Sequence, residues 1–184
     1  MLICATVGHA GRMSRLRDRG ASYEGIEEAS VVRRYLDAMD AELRRLGHDV
    51  ILLSDGEYSD QWLRVDRYGA GVYLAGHVNA GKGDRGEVFY DYRSPKGRAL
   101  GEEVAHALDE VYPWPVTAKA CRPDDDGEPR DEDYSEAFSC IRGVKPPAIV
   151  IEPYFIDGPR RGEFLASLPA LGVALARGID RWSK

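Results

Sequence analysis

Residues 147–153 read Pro-Ala-Ile-Val-Ile-Glu-Pro. The apolar, mostly β-branched run, bounded by prolines and a carboxylate, predicts a strand over 148–151. Working outward, Leu2-Ile-Cys-Ala-Thr-Val7 predicts a short first strand, and residues 71–76 (Gly-Val-Tyr-Leu-Ala-Gly) predict another. Each of these strands runs into an ionisable residue: His9 after Val7-Gly8, His77 after Ala75-Gly76, and Glu152 after Ile151. Segments of helical pattern separate the early strands, as parallel pairing requires. In open α/β sheets ligands bind beyond the carboxyl ends of the strands, so parallel strands would bring His9, His77 and Glu152 to one edge.

The remaining pattern fits an α/β fold. Val32, Tyr35, Leu36, Met39, Leu43 and Leu46 recur at helical spacing over 28–46, and Gly47 ends that helix. Residues 49–53 predict a strand. Tyr58, Trp62 and Val65 predict a helix that stops before Gly69, and 86–91 predict a strand after a glycine-rich turn. Ser94-Pro95 caps a helix running to about 111 with Leu100, Val104, Leu108 and Val111 on its apolar face. Residues 137–141 read as a further strand. A broken helix with Pro169 near the start of its longer part closes the chain, turning Leu171, Leu175, Ile179 and Trp182 inward. The expectation is one domain over 1–184, with no separate wall-binding domain. Its core is a largely parallel or mixed twisted sheet of about six strands with helices on both faces.

Composition narrows the function classes. The 184 residues suffice for one core, and 43% hydrophobic with 30% charged residues is ordinary for a globular chain. A net charge of −6, with both signs mixed along most of the sequence, argues against a nucleic-acid groove or an anionic membrane surface as partner. No stretch approaches the ~18 consecutive apolar residues of a membrane helix. The apolar start lacks a basic lead-in, so no export signal is expected. Cys4, Cys121 and Cys140 are too few for a disulfide framework and are expected as thiols, with a Cys121–Cys140 bridge the alternative in an oxidising compartment. The acidic stretch 122–136 reads as a solvated loop, or as a surface for an amine-bearing peptide.

A fourth polar residue joins the three at the sheet edge. Glu28 precedes Val32, Tyr35 and Met39 by four, seven and eleven residues and so shares their buried stripe. Its neighbour Glu27 is on a face running through Val31 and Arg34 toward solvent. A carboxylate on an apolar stripe is costly without compensation, and a metal ion supplies it. Two histidines and a glutamate, leaving a fourth position for water, form a catalytic zinc arrangement, with Glu152 placed to move the water's proton. Each residue also has a plainer reading. His9 could cap a turn, His77 could bond a carbonyl, Glu28 could be an ordinary first-turn acid, and Glu152 could pair with Arg160 or Arg161. His48 and His106 are assigned to surface or packing roles. The convergence of four residues on one edge favours the site.

These residues lie in motifs that resemble the zinc-dependent N-acetylmuramoyl-L-alanine amidases of type 3. Val7-Gly8-His9-Ala10-Gly11, then Gly20-Ala21, then Glu28 opening a helix, is similar to the family's Gly-His-Gly-Gly, Gly-Ala and helix-opening glutamate. Gly76-His77-Val78-Asn79-Ala80 is similar to Ser-x-His-x-Asn-Ala, and Pro147–Glu152 to the Pro-Ala-x-Leu-x-Glu strand. The resemblance spans about residues 2–182. It implies Zn2+ held by His9, Glu28 and His77, and Glu152 as general acid/base. It also implies cleavage of the amide between N-acetylmuramic acid and the L-alanine of the peptidoglycan stem peptide. The chain departs from the pattern at Ala10, in the basic loop from Arg12 to Arg19, at Gly76, and at Asp157-Gly158 where asparagine is usual. Expected partners are peptidoglycan or its fragments, with no nucleic acid. Without an export signal, the protein is expected to accumulate in the cytoplasm and reach the wall through a separate pore, as phage endolysins do. A catalytic fragment of a longer exported amidase fits equally. The alternatives are a zinc amidohydrolase acting on a small N-acylated amino acid, and a wall-binding domain without catalysis.

Overall fold

The three strands that run into ionisable residues lie side by side and parallel. In the computed structural model, which describes residues 1–10, 20–121 and 139–184, β1 (Leu2–Val7) pairs with β5 (Val72–Gly76). In turn β5 pairs with β8 (Ala148–Glu152). On the far side of β1, β4 (Asp49–Leu53) adds a fourth parallel strand. Beyond β8, β6 (Gly86–Asp91) runs antiparallel, and β7 (Val116–Cys121) follows β6 in parallel. The order β4-β1-β5-β8-β6-β7 makes a six-stranded mixed sheet, mostly parallel. A separate two-stranded hairpin, β2 (Ser22–Tyr23) and β3 (Ile26–Glu27), leads directly into the first helix.

Period-two alternation sends successive side chains to opposite faces. Ile3, Ala5, Val72, Leu74, Ile149 and Ile151 form one core with α1 (Glu28–Arg45), α3 (Pro95–Asp109) and α5 (Arg161–Trp182). Cys4, Tyr73, Ala75, Ala148 and Val150 form a second core with α2 (Tyr58–Tyr68) and α4 (Ser139–Arg142). Helices therefore cover both faces. Most of these side chains are fully buried, and each fully buried aliphatic or aromatic one contributes about 1.5–3 kcal/mol of transfer free energy.

Local signals explain the ends of the helices. The Ser94 hydroxyl accepts from Gly97 N at 3.0 Å, and Pro95 opens α3. Gly69, with φ 68°, closes α2 in the left-handed conformation. The first amide of α1, Glu28 N, donates to Ala21 O at 2.8 Å in place of a side-chain cap.

Several expectations are corrected. Within the stretch read as a strand at 137–141, residues 139–142 form the single-turn helix α4, whose Cys140 and Ile141 plug the second core. No break divides the closing helix. Pro169 lies inside continuous α5, with Leu168, Leu171, Leu175 and Ile179 fully buried. Val31 turns inward and is fully buried, whereas Val111 lies beyond the end of α3 and is exposed. Strand β7 was not anticipated. Only its two end residues are buried, as suits an edge strand. By length and mean hydropathy α5 could cross a membrane, but its apolar stripe is committed to α1 and α3. The basic Arg12–Arg19 stretch and the acidic run 124–136 lie outside the described residues.

Candidate metal centre

Glu28, His9 and His77 meet at the carboxyl edge of the sheet. One ligand atom from each lies within 4.8 Å of the others, the one such acidic–histidine group among the described residues. Three elements deliver them: the turn after β1, the first residue of α1, and the residue following β5. Glu28 is 4% exposed. Its Oε1 lies 3.0 Å from His77 Nδ1 and accepts from Val78 N at 3.0 Å. Its Oε2 accepts from Ala21 N at 2.8 Å and lies 3.7 Å from His9 Nε2. Burial works to raise the Glu28 carboxyl. The His77 hydrogen bond, the two imidazoles and the Ala21 amide outweigh it, and the carboxyl is held below its ordinary value.

The backbone around the centre is shaped to admit these side chains. His9 takes the left-handed conformation, φ 60°, which non-glycine residues adopt rarely and histidine more readily than most. It sets the His9 ring edge-on to His77, with centroids 5.1 Å apart at 90°. A Cβ at Gly8 would collide with Gly76 O and the His77 ring, and one at Gly20 with the Glu28 carboxylate. These two glycines are required by space.

The donor set fits a divalent metal. Tetrahedral bonds of ~2.0–2.2 Å place ligand atoms roughly 3.4 Å apart, and one ligand atom from each of the three side chains lies within 4.8 Å of the others. Two imidazoles and a carboxylate suit a divalent first-row transition metal.

Glu152 completes the edge. His77 N donates to Ile151 O at 2.9 Å, so the end of β8 is fixed against the residue after β5. Glu152 Oε2 is shut from solvent with no hydrogen-bond partner. Burial pushes this carboxyl up to about 8; His77 pulls it down, and Glu28 and Glu87 push it further up. A strongly raised carboxyl beside this candidate centre suits proton transfer near neutral pH. The alternative pairing of Glu152 is not made. Arg161 reaches Glu24 at 2.7 Å, and Arg160 reaches Pro113 O at 2.8 Å. His106 is paired with Glu110 on the surface, and His48 binds Asp180 at 3.1 Å.

Two residues near the centre escaped the sequence reading. Tyr35, read as core, donates its hydroxyl to His77 O at 3.0 Å. Glu87, on β6, is 2% exposed and sits opposite Glu152 in the strand register. Its signal was present, a carboxylate directly ahead of the apolar run Val88-Phe89-Tyr90. Asp157, which replaces a usual asparagine, accepts from Gly81 N at 3.0 Å and Lys82 N at 2.9 Å and so closes the glycine-rich turn. The three cysteines are buried and form no disulfide, and burial lifts Cys121 and Cys140 to about 12, which keeps them protonated.

With this geometry established, comparison with known proteins gives a consistent result. A sequence profile described as N-acetylmuramoyl-L-alanine amidase matches residues 3–181. No curated protein matches the sequence. Among solved structures, N-acetylmuramoyl-L-alanine amidase AmiC2 of Nostoc punctiforme superposes with a TM-score of 0.78 at 23% identity, covering 100% of this chain and 97% of that one. Cwp6 from Clostridium difficile gives a TM-score of 0.81 at 19% identity, with 100% of this chain but 29% of Cwp6 covered. The catalytic domain of the CD27L endolysin targeting Clostridia difficile gives 0.72 at 21%, covering 97% and 96%.

Proposed function

The chain belongs to the N-acetylmuramoyl-L-alanine amidase family, and on that premise we propose that it hydrolyses its amide as a zinc enzyme. His9, Glu28 and His77 would hold the ion, and Glu152 would carry the proton. The observation that supports this reading is the meeting of three ligand atoms within 4.8 Å at the sheet edge that also carries the unpartnered oxygen of Glu152.

When bound, zinc supplies a water whose pKa falls to about 7, polarises the scissile carbonyl, and lowers the neighbouring carboxyl toward neutrality. The chain's own residues do the rest. Glu152 Oε2 would take a proton from the attacking water and would return it to the nitrogen of L-alanine as the C–N bond to the lactyl carbonyl of N-acetylmuramic acid breaks. Backbone amides of Ala21 and Val78 fix both oxygens of Glu28, so that residue stays ionised and oriented.

The test is digestion of purified peptidoglycan with and without a chelator. The expected products are new L-alanine amino termini with no new reducing sugar ends, lost on chelation and restored by zinc. New reducing ends, or digestion indifferent to a strong chelator, would overturn the assignment.

A further inference from the structure

Tyr35 lies two turns after Glu28 on α1 and is fully buried, and its hydroxyl donates to the backbone carbonyl of His77 at 3.0 Å. A partnered core tyrosine is ordinary. Here, however, the partner is the main chain of a residue at the candidate centre. The residue before His77 is Gly76, and a Cβ there would stand 2.7 Å from the Tyr35 hydroxyl, 2.9 Å from Val32 Cγ1 and 3.1 Å from Leu36 Cδ1. The hydroxyl thus occupies room that any side chain at 76 would need. On the other side, a Cβ at Gly172 of α5 would collide with Tyr35 O, so α5 is seated directly against this turn of α1.

We propose that Tyr35 is a positioning residue for His77, and that Gly76 and Tyr35 form a matched pair that sets the angle at which His77 meets the metal. The inference rests on reading His77 as a ligand. Three contacts hold the main chain there: His77 N on Ile151 O at 2.9 Å, His77 O on the Tyr35 hydroxyl, and Val78 N on Glu28 Oε1 at 3.0 Å. The first is backbone on both sides and the third is made by a proposed ligand. Tyr35 is the one pin that can be withdrawn without touching the ligand set. Its loss removes the hydroxyl that holds this carbonyl and loosens the 77–78 peptide, and the imidazole moves with it. Metal centres tolerate displacements of only about 0.5 Å.

The experiment compares full-length wild type, Tyr35→Phe, Gly76→Ala, the double variant and His77→Ala. Its readouts are zinc affinity by chelator competition, the visible spectrum of the cobalt-substituted protein, and kcat and KM on a soluble muropeptide. Tyr35→Phe keeps the packing and removes one oxygen. It is expected to weaken zinc binding by about 10-fold, the lower end for partners behind the ligands. It should also shift the cobalt spectrum and lower kcat at little-changed KM. Gly76→Ala pushes the hydroxyl off His77 and should weaken binding at least as much. Adding it to Tyr35→Phe should cost less than in wild type, because the tightest of the three contacts is then gone. If Tyr35→Phe does not fold, Gly76→Ala alone carries the comparison. Unchanged affinity and spectrum in the variants, with zinc lost in His77→Ala, would overturn the positioning role alone. Wild-type affinity in His77→Ala would overturn the metal reading and this inference together.

Discussion

Glu87 and Glu152 occupy facing positions on β6 and β8 and have opposite fates. Glu87 is buried and Glu152 half-buried with one oxygen shut from solvent, yet Glu87 is saturated with partners. Its Oε1 lies 2.8 Å from Arg85 Nε and 2.7 Å from Lys119 Nζ, and its Oε2 accepts from Asn79 Nδ2 at 3.1 Å. Burial would raise it, but the two cations overcome that and hold it below its ordinary value. Glu152 has a buried oxygen with no partner and rises to about 8. Burial alone therefore does not decide protonation; the partners supplied with the burial decide it. One of the pair is anchored and the other is kept available.

The largest expected effect separates them by rate. Glu152→Gln should lower kcat by about 10²–10⁴-fold, the range for losing a general acid/base, while zinc content by metal analysis stays near one per chain. Glu87→Gln should leave kcat per folded molecule within about threefold. If the two variants lose equal activity at equal zinc content, the contrast is broken.

The next effect is a pH dependence of stability in the chelated protein. The folded pKa of Glu152, about 8, lies above the ordinary 4.5. Its stabilising contribution is therefore complete below about 4.5 and lost as pH rises through about 8. Chelated wild type should lose ground to Glu152→Gln between pH 5 and pH 8.5, by a few kcal/mol at most, or several degrees of melting temperature. A constant difference across that window would mean the carboxyl titrates normally.

The smallest effect belongs to Glu87. Glu87→Gln should destabilise the fold by about 1–3 kcal/mol, since it strips charge from a carboxylate shared by Arg85 and Lys119. Those cations are partly exposed, and solvent limits the cost. Opposite pH trends would sharpen the comparison. Glu87 is depressed, so its contribution is present above the ordinary carboxyl range and fades as pH falls through its folded value. Urea denaturation at pH 3.5 and pH 7 should show the variant's deficit shrinking in acid.

Sequence reading recovered what periodicity encodes. β1, β5 and β8, the parallel edge they share, and Glu28 on the buried stripe of α1 all follow from spacing and strand-end chemistry. Other features escaped it for identifiable reasons. β7 mixes Thr117 and Lys119 with small residues because it lies at the sheet edge, so it carries little hydrophobic signal. Pro169 looked like a breaker, but it sits in the third turn of a helix that burial against α1 and α3 holds together. The 139–141 stretch, Ser-Cys-Ile, is too short for periodicity to separate a helical turn from a strand. The role of Tyr35 lay beyond reach because its partner is a carbonyl 42 residues away, and the facing of Glu87 and Glu152 because it arises only when β6 and β8 pair.

The sheet order places β8, the last strand made, between β5 and β6. During synthesis the chain cannot close its sheet until residues 148–152 have left the ribosome. Until then β5 and β6 each present an unpaired edge in the middle of the future sheet. Such non-local pairing is slow and invites association between incomplete chains. The same order also delays the arrival of Glu152 at the edge beside His77 until every other strand of the sheet has emerged.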